Sequence, residues 1–528
     1  MKLLQLSHKY KWPLLAILAI LAFAFLLRSH VYLKGDFLYL IDQARDLLLV
    51  KEIAVNHDMP LIGARSGLGG IFHGPLWLFM LVPTFILSGG DPYFTLVPVI
   101  LFISLLTVLI GILVGWKLYG MKYGLLCGLF LSISQTSLAS VANFSNAHVM
   151  PLIFLLFLFS IILYMRGKEQ FFILSIFLIG IGIHFEVAFA VFLFPITLLA
   201  MAFRRNIPKL KTLIVSLLVL GVSLANYILF ELKNGFLMSK AATKLISGNS
   251  EVIKGYEKYA DVTFRIGDRI RSFIDSFYAP LFTQSSLGGI LIFTILIGAI
   301  VLLGISYQKK KLANYHKEYI FILLIPLVIF SLFIIYPHPI WSHYILPLYI
   351  SSVLAFVLAL KIFITSLAKG SLLSVLTISV IVLPALTWVG TTYFSGSKVM
   401  VPNSGMYKDQ EKVAEWIFND AGEEKFGYLV YTPRVLTYQM DYLMWWKGSQ
   451  RQNTNYINNK FALTYLILTP PDEGDDKAHT FWKENVIYTK GKVIKRQKFP
   501  NGMVVEKTLI SEEEPEVDPN YLRGIIFR

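Results

Sequence analysis

Hydrophobic residues in this 528-residue chain are gathered in long runs and do not alternate with polar ones. A helix needs about 20 apolar residues to cross the hydrocarbon layer of a membrane. Runs of this kind cover about 13–30, 94–116, 123–141, 149–165, 170–185, 187–203, 212–231, 287–306, 319–336, 345–364 and 371–394. The pattern therefore predicts an α-helical polytopic membrane protein with about 11 transmembrane helices.

The short apolar run 75–88 decides how the predicted spans are oriented. If the N-terminus is cytoplasmic and this run does not cross, the short basic loops all lie in the cytoplasm, as the positive-inside rule requires. If the run crosses, the basic loops at 166–168 and 204–211 move outside. We therefore predict a cytoplasmic N-terminus, a 75–88 segment within the outer leaflet, and an extracytoplasmic C-terminus.

This topology leaves two long loops outside the membrane, at 31–93 and 232–286. Loops of that length usually carry function or are disordered. In the first loop, aromatic and aliphatic residues recur with helical periodicity from 37 to 55, which is typical of a helix on a membrane surface. We therefore expect interfacial helices in the first outer loop.

The character of the chain changes near residue 400. Of its 81 charged residues, 35 lie in the last 128, where short strand-like runs alternate with helix-like ones and polar turns. The strand-like runs are 427–431, 463–468, 486–488 and 503–505, and a helix-like run covers 409–418. The sequence therefore predicts a transmembrane domain over 1–396 and a small extracytoplasmic α/β domain over 397–528.

The formal net charge of +15 belongs to the membrane part, because the last 128 residues hold 17 basic and 18 acidic side chains. The basic residues before residue 400 lie between apolar runs and form no soluble basic face. Nucleic-acid-binding proteins present such a face to their ligand. We therefore do not expect a nucleic-acid partner.

The first outer loop holds a large share of the acidic residues of the membrane part. Only 15 Asp and Glu residues occur before residue 400, and five of them lie between 36 and 58. Asp42, Arg45 and Asp46 are spaced so that a helix places both carboxylates and the guanidinium on one face. That face is either the solvated side of an interfacial helix or part of a site for a polar substrate.

A second polar cluster, RSGLGGIFHGP at 65–75, closes the same loop. Its glycines permit turns and a close approach of the backbone to a ligand. Arg65 opens the cluster, and His73 stands near its end, close to the predicted membrane surface. A phosphate at that surface could meet His73.

Two motifs, IDQARD at 41–46 and FHGPLWLFMLVP at 72–83, resemble those of the GT-C glycosyltransferases. These include the family 39 protein O-mannosyltransferases, the aminoarabinose transferases that modify lipid A, and RgtA-like proteins. The resemblance extends to the many spans, the first outer loop and the C-terminal outer domain. It implies a GT-C-like fold, an active site in loop 31–93, and a polyprenyl-phosphate sugar as donor. It also implies that Asp42 acts as a general base or orienting group.

The resemblance places the donor phosphate near His73, where relatives carry a lysine followed by prolines. A lysine is always charged at neutral pH, whereas a histidine is charged only in part. Arg45 or Arg65 is therefore expected to share the phosphate. Some relatives place an acidic residue just before this motif and bind a metal there. Phe72 stands at that position, so the sequence does not support a divalent metal, and no other cofactor is expected.

Further candidates have alternative roles that the sequence leaves open. Asp46 is either a second catalytic carboxylate or the partner that holds Arg45. The remaining candidates lie at predicted outer ends of spans and are His184, Glu186, His343 and Tyr344. The first two either orient substrate or cap their own helical turn. The last two either contact the donor or anchor the chain in the membrane interface, where aromatic residues are common.

The sequence thus predicts an integral enzyme of a bacterial or archaeal cytoplasmic membrane. It is expected to transfer a hexose or pentose from a polyprenyl-phosphate donor to an extracytoplasmic acceptor, which is a glycan, a lipid or a protein. A transporter or flippase for a lipid-linked glycan is the alternative. Transporters usually carry ionisable groups in the middle of their spans, whereas the charges here collect at the predicted outer ends.

Overall fold

The chain is described by a computed structural model. The described residues are 2–33, 35–67, 69–246, 257–278, 286–307, 313–366, 405–433, 436–452 and 454–511, with isolated positions in 375–390 and 514–517. The predicted span 371–394, part of the loop 232–286 and the predicted domain boundary at 396 lie largely outside these residues. The statements below concern the described part of the chain.

Most of the described chain up to residue 366 is α-helical. In a helix the backbone N–H and C=O groups pair with each other, which an apolar environment without water requires. The helices are α1 Lys2–Ser29, α2 Ile41–Asn56, α3 Leu76–Ser88, α4 Pro92–Tyr119, α5 Met121–Ile133, α6 Gln135–Ala142, α7 Met150–Met165, α8 Gln170–Phe185, α9 Val187–Val191, α10 Leu193–Arg204, α11 Leu210–Ser223, α12 Ala225–Lys233, α13 Leu237–Ile246, α14 Val262–Tyr278, α15 Ser286–Tyr307, α16 Ala313–Ile335, α17 Ser342–Ile345 and α18 Leu348–Ser366.

Six described helical segments are long and apolar enough to cross a membrane, or up to eight if each of two bent pairs forms one span. The bent pairs are α5 with α6, at 46°, and α11 with α12, at 60°. Shorter apolar helices include α3 and α8. The chain is therefore an integral membrane protein. The count of about 11 spans and the orientation of the termini stay predictions.

A buried arginine fixes the bend between α5 and α6. Arg28, at the end of α1, donates hydrogen bonds to the carbonyls of Leu131 at 3.0 Å and Ser132 at 3.2 Å. Because α5 ends at this point, its last carbonyls need partners from outside the helix. Arg28 supplies them, which explains a charged residue at the end of an apolar run.

The chain forms two compact units. The first unit comprises Met1–His30, Leu61–Trp77 and Ile100–Ser397, and the second comprises Val31–Pro60, Leu78–Val99 and Lys398–Arg528. Residues 31–60 and 78–93 of the predicted first outer loop thus share a unit with residues 398–528, which we call the tail. The sequence division into 1–396 and 397–528 stays a prediction.

The core of the first unit is built around α18. Nearly every residue of this helix is buried, and it packs against α5, α7, α14, α15 and α16. A helix that is apolar on all sides is either covered by neighbouring helices or exposed to lipid, and these contacts show that α18 is covered. The continuous apolar run 345–364 therefore marks the centre of the first unit.

The second unit contains a five-stranded sheet with the order β2-β1-β3-β5-β4. The strands are β1 Phe426–Tyr431, β2 Tyr456–Ile457, β3 Leu463–Leu468, β4 Lys492–Lys498 and β5 Val504–Leu509, and the helices of this region are α19 Tyr407–Ala421, α20 Tyr438–Gln450 and α21 Ala478–Asn485. β1 is parallel to β2 and β3, while β5 is antiparallel to β3 and β4. The predicted α/β tail is confirmed.

One predicted strand of the tail is wrong. Residues 486–488 directly follow α21, and the backbone N–H of Val486 donates to the carbonyl of Trp482 at 3.0 Å, which ends that helix. The sequence also missed β4, whose residues KVIKRQK are mostly exposed at the edge of the sheet. Charged side chains on an edge strand prevent pairing with another chain, and they hide the hydrophobic alternation that predicts a strand.

The chain just before α2 is extended and packs on the tail within the second unit. Leu38 pairs with Met406 in an antiparallel bridge. The carboxylate of Asp36 accepts a hydrogen bond from the backbone N–H of Lys408 at 3.0 Å, in the first turn of α19. The periodicity from residue 37 therefore produces a helix only from Ile41, because the preceding residues pair with the tail.

Candidate active site

The predicted charged face of the first outer loop forms an ion-pair cluster on α2. Arg45 donates from Nη1 to Asp42 Oδ1 at 2.8 Å. It also donates from Nη2 and Nε to Asp46 Oδ1, at 2.8 Å and 3.0 Å. The structure therefore brings the three residues together as the helical spacing predicted.

The two carboxylates of this cluster differ in exposure. The Asp42 side chain is 54% exposed, whereas that of Asp46 is 2% exposed and that of Arg45 is 14% exposed. Burial of the guanidinium lowers the pKa of Arg45, but the neighbouring Asp46 and Asp42 outweigh this effect and raise it. Arg45 is thus a fixed cation that Asp46 holds from the buried side. Asp42 is the carboxylate that a substrate can reach.

Asp42 lines a cavity of about 520 Å³ in the second unit, which we call the Asp42 cavity. Its polar lining residues from the tail are Gln410, Thr432, Thr437, Gln439, Thr469 and Asp472. None of these residues is predicted as a site residue by the sequence, because they come from separate loops and helices and share no motif. The volume falls within the range of about 300–1,000 Å³ that is common for ligand pockets.

A buried carboxyl group supports the wall of the Asp42 cavity. Asp441, in the first turn of α20, is 5% exposed, and its Oδ2 accepts a hydrogen bond from the hydroxyl of Thr437 at 2.6 Å. Burial raises the pKa of Asp441 to about 7, although hydrogen bonds from Thr437, Tyr428 and Asn458 act in the opposite direction. This group therefore titrates near neutral pH.

The raised pKa predicts that the tail loses stability as the pH rises. A carboxyl with a folded pKa above its unfolded value stabilises the fold at low pH, and this contribution is lost between about pH 4 and 7. A shift of about three units corresponds to about 4 kcal/mol. The full-length protein in detergent is heated at each pH from 4.5 to 8.5, and unfolding of the tail is detected by its cleavage by a protease. The unfolding temperature of the tail should fall as the pH rises. Asp441→Asn should flatten the profile, whereas the exposed control Glu423→Gln should leave it unchanged. An unchanged profile in Asp441→Asn would contradict the assignment.

In the first unit, the predicted cluster 65–75 forms a short hairpin. Arg65 pairs with Phe72 in an antiparallel bridge. The backbone N–H of Gly63 donates to the carbonyl of His73 at 2.7 Å, and the N–H of His73 donates to the carbonyl of Ala64 at 2.9 Å. His73 is 8% exposed. These hydrogen bonds fix the backbone on either side of the imidazole.

Gly74 packs directly against His184. Its N–H donates to the carbonyl of His184 at 3.1 Å, and a Cβ at position 74 would lie 2.0 Å from Nδ1 of that residue. The other ring nitrogen, Nε2, lies 2.8 Å from the carbonyl of Ser223. A proline, which the resemblance leads one to expect here, lacks the N–H that this contact uses. Glycine at this position therefore follows from the packing.

Glu186 caps the short helix α9. Its Oε1 accepts a hydrogen bond from the N–H of Ala188 at 3.2 Å. Of the two predicted roles, the structure thus contains the contact expected for a helix cap. The side chain is 2% exposed, and burial raises its pKa to about 8. Glu186 is therefore largely protonated at neutral pH, and a role in orienting substrate stays a prediction.

Tyr344 lies beside the hairpin of the first unit. It is 4% exposed, its ring lies 4.6 Å from that of His343, and its hydroxyl lies 3.8 Å from where a Cβ on Gly67 would stand. A side-chain hydrogen bond joins it to Tyr336. The first unit thus brings together the hairpin, His184 and Tyr344.

The predicted site residues therefore form two groups, one in each unit. The first unit holds Arg65, His73, His184, Glu186, His343 and Tyr344, and the second holds Asp42, Arg45 and Asp46. Across the described residues, no group of three or more His, Cys, Asp or Glu side chains is arranged to hold a metal ion.

Comparisons with known proteins identify the fold. No protein-family model and no curated protein sequence matches the chain. The solved structure of apo ArnT from Cupriavidus metallidurans is similar, with a TM-score of 0.59 and 13% identity over 95% of this chain and 98% of that one. ArnT bound to undecaprenyl phosphate gives a TM-score of 0.58 and 12% identity over 94% and 98%.

The Archaeoglobus fulgidus oligosaccharyltransferase, in complex with zinc and sulfate, is also similar. Its TM-score is 0.52, with 12% identity over 92% of this chain and 72% of that one. These solved proteins are GT-C glycosyltransferases. The predicted fold class is therefore confirmed: the chain has the architecture of a polytopic GT-C protein with a small C-terminal sheet.

Proposed function

We propose that this chain, which has the GT-C fold, is a membrane glycosyltransferase that moves a sugar from a polyprenyl-phosphate donor to an extracytoplasmic acceptor. The observation that carries the proposal is the state of Asp42. Its carboxylate is exposed to a cavity, while Arg45 and the buried Asp46 hold it in one orientation. That arrangement suits a general base better than a solvated ion pair, which would leave both carboxylates exposed.

In the proposed reaction, Asp42 takes the proton from a hydroxyl or amine of the acceptor. The freed electron pair attacks the anomeric carbon of the sugar, and the bond between that carbon and the phosphate oxygen breaks. The phosphate leaves on its polyprenyl carrier with the bonding electrons. Because a phosphate is already a good leaving group, the reaction needs no separate acid.

The donor phosphate requires positive charge or hydrogen-bond donors where it leaves. We assign this role to Arg65 and His73 of the hairpin, with His184, His343 and Tyr344 of the same unit as further donors. The ArnT structure with undecaprenyl phosphate supports a polyprenyl-phosphate carrier as ligand. Whether the sugar is a hexose or a pentose is part of the proposal to be tested.

The test is donor preference in a reconstituted membrane. Purified full-length protein in liposomes is supplied either with labelled polyprenyl-phosphate sugars or with the matching nucleotide sugars. Release of sugar from the polyprenyl-phosphate donors alone supports the proposal. Consumption of the nucleotide sugars alone, or movement of the lipid-linked sugar to the opposite leaflet without cleavage, overturns it.

A further inference from the structure

A second cavity, of about 760 Å³, lies beside the Asp42 cavity in the tail. We call it the aromatic cavity, because its lining includes Tyr431, Phe481, Trp482 and Tyr488. Phe481 and Tyr488 are each 62% exposed. Exposed aromatic rings that line a cavity are typical of an interaction or ligand-binding surface.

The two cavities are neighbours and share part of their lining. Val430, Thr432, Pro433 and Thr437 line both of them. A ligand that presents a reactive group to Asp42 and also reaches the aromatic rings must pass over these shared residues. Small ligands fill a single pocket, so the shared wall favours a ligand of several linked units.

The lining combines apolar rings with charged groups. Asp475, Lys477 and Glu516 border the aromatic cavity, and Thr432 and Thr437 add hydroxyls. A sugar ring matches such a lining, because its C–H face meets the negative face of an aromatic ring while its hydroxyls bond to carboxylates and hydroxyls. An acyl chain gains nothing from the charged groups.

A peptide strand fits the arrangement less well. A peptide strand that binds by extending a sheet adds to the edge of that sheet, and the edges of this sheet are β2 and β4. Neither strand lines the aromatic cavity. The cavity is instead bordered by the end of β1 and by α21 with the residues that follow it.

We infer that the aromatic cavity is an acceptor subsite that binds an oligosaccharide, whose reactive end lies in the Asp42 cavity. This inference rests on the proposed function and narrows the acceptor to a glycan or a glycan-bearing molecule. The rings of Phe481 and Tyr488 stack on sugar units distant from the one that reacts.

Tyr488 offers a sharp test, because its backbone lies in the left-handed region at φ 49°. Asparagine tolerates that conformation better than tyrosine does, so Tyr488→Asn should remove the ring without lowering the melting temperature. Phe481→Ser is the second variant. The matched control is Ile494→Ser, which removes an exposed apolar side chain of β4 outside the cavity.

Binding is measured first, with labelled full-length protein in detergent on an array of free oligosaccharides. The wild type and the Ile494→Ser control should bind the same oligosaccharides, and each cavity variant should bind them at least about tenfold more weakly, a loss of about 1.4 kcal/mol. Binding of no oligosaccharide, or equal binding by the cavity variants, overturns the inference. Retention of a fatty acid or a peptide instead also overturns it.

Kinetics then separate the two proposals. With a bound oligosaccharide as acceptor and a polyprenyl-phosphate sugar as donor, the variants should raise the acceptor KM at least about tenfold and leave kcat at saturating acceptor near the wild-type value. A wild type that binds oligosaccharide but cleaves no donor contradicts the proposed function alone. A wild type that transfers sugar, with KM unchanged in both variants, contradicts the acceptor subsite alone.

Discussion

Asp42→Asn should lower the rate of sugar transfer by about 10²–10⁴-fold, the usual effect of removing a general base. Asparagine keeps the size of the side chain and one acceptor oxygen for Arg45, which lies 2.8 Å away, but it cannot take a proton. Donor affinity and melting temperature should change little, because Asp42 is exposed and Arg45 retains Asp46. Initial rates with a saturating polyprenyl-phosphate sugar and a separate donor-binding titration check this expectation.

The same helix supplies the controls. Glu52→Gln removes a carboxylate from α2 that bonds to Asn56 and Lys51 and does not line the Asp42 cavity, so transfer should stay at the wild-type rate. Asp46→Asn should cost less activity than Asp42→Asn and more stability, since it weakens the support of a buried guanidinium. If Asp42→Asn and Asp46→Asn both turn over like the wild type, the cluster is structural and the catalytic base lies elsewhere.

Gly74→Ala should destabilise the first unit by about 3 kcal/mol or more, at the upper end of the cost of overpacking. The added Cβ would lie 2.0 Å from Nδ1 and 2.9 Å from Cα of His184. The second of these is backbone, so the hairpin itself must move, and His73 moves with it. Melting temperature and donor affinity should fall together in the full-length protein.

Two variants show whether this effect is local. Gly67→Ala, in the same hairpin, places its Cβ 3.8 Å from the Tyr344 hydroxyl, which is ordinary contact, and should be tolerated. His184→Ala combined with Gly74→Ala removes the ring atoms from the clash and should recover part of the stability. A Gly74→Ala protein as stable as the Gly67→Ala control would contradict the packing described here.

The sequence predicted the helical membrane fold because apolar runs of sufficient length have few other uses, while the number of spans and their orientation stay predictions. The spacing of Asp42, Arg45 and Asp46 also predicted their contact, because a helix imposes that geometry locally. The same local reasoning failed at 486–488, where Val486 and Ile487 resemble a short strand. These residues instead follow the end of α21, and Ile487 packs into the hydrophobic core of the tail.

The remaining parts of the candidate site depend on contacts between distant segments. The Asp42 cavity takes Gln410, Thr437 and Asp472 from three parts of the tail. Their spacing in the sequence does not predict that these residues line one cavity. The close packing of Gly74 against His184 cannot be predicted from the sequence either, because it depends on how closely two separate segments of backbone approach each other.

The pairing of the segment before α2 with the tail constrains how the protein is made. Gln410 donates to the carbonyl of Tyr39 at 2.8 Å across 371 positions of sequence. At about 5–20 residues per second, a ribosome synthesises Gln410 tens of seconds after Tyr39. Until then the nascent chain carries Asp42, the proposed general base, without most of the residues that line its cavity. Under the proposed function, a chain truncated before the tail lacks most of the residues that line the Asp42 cavity and should transfer no sugar.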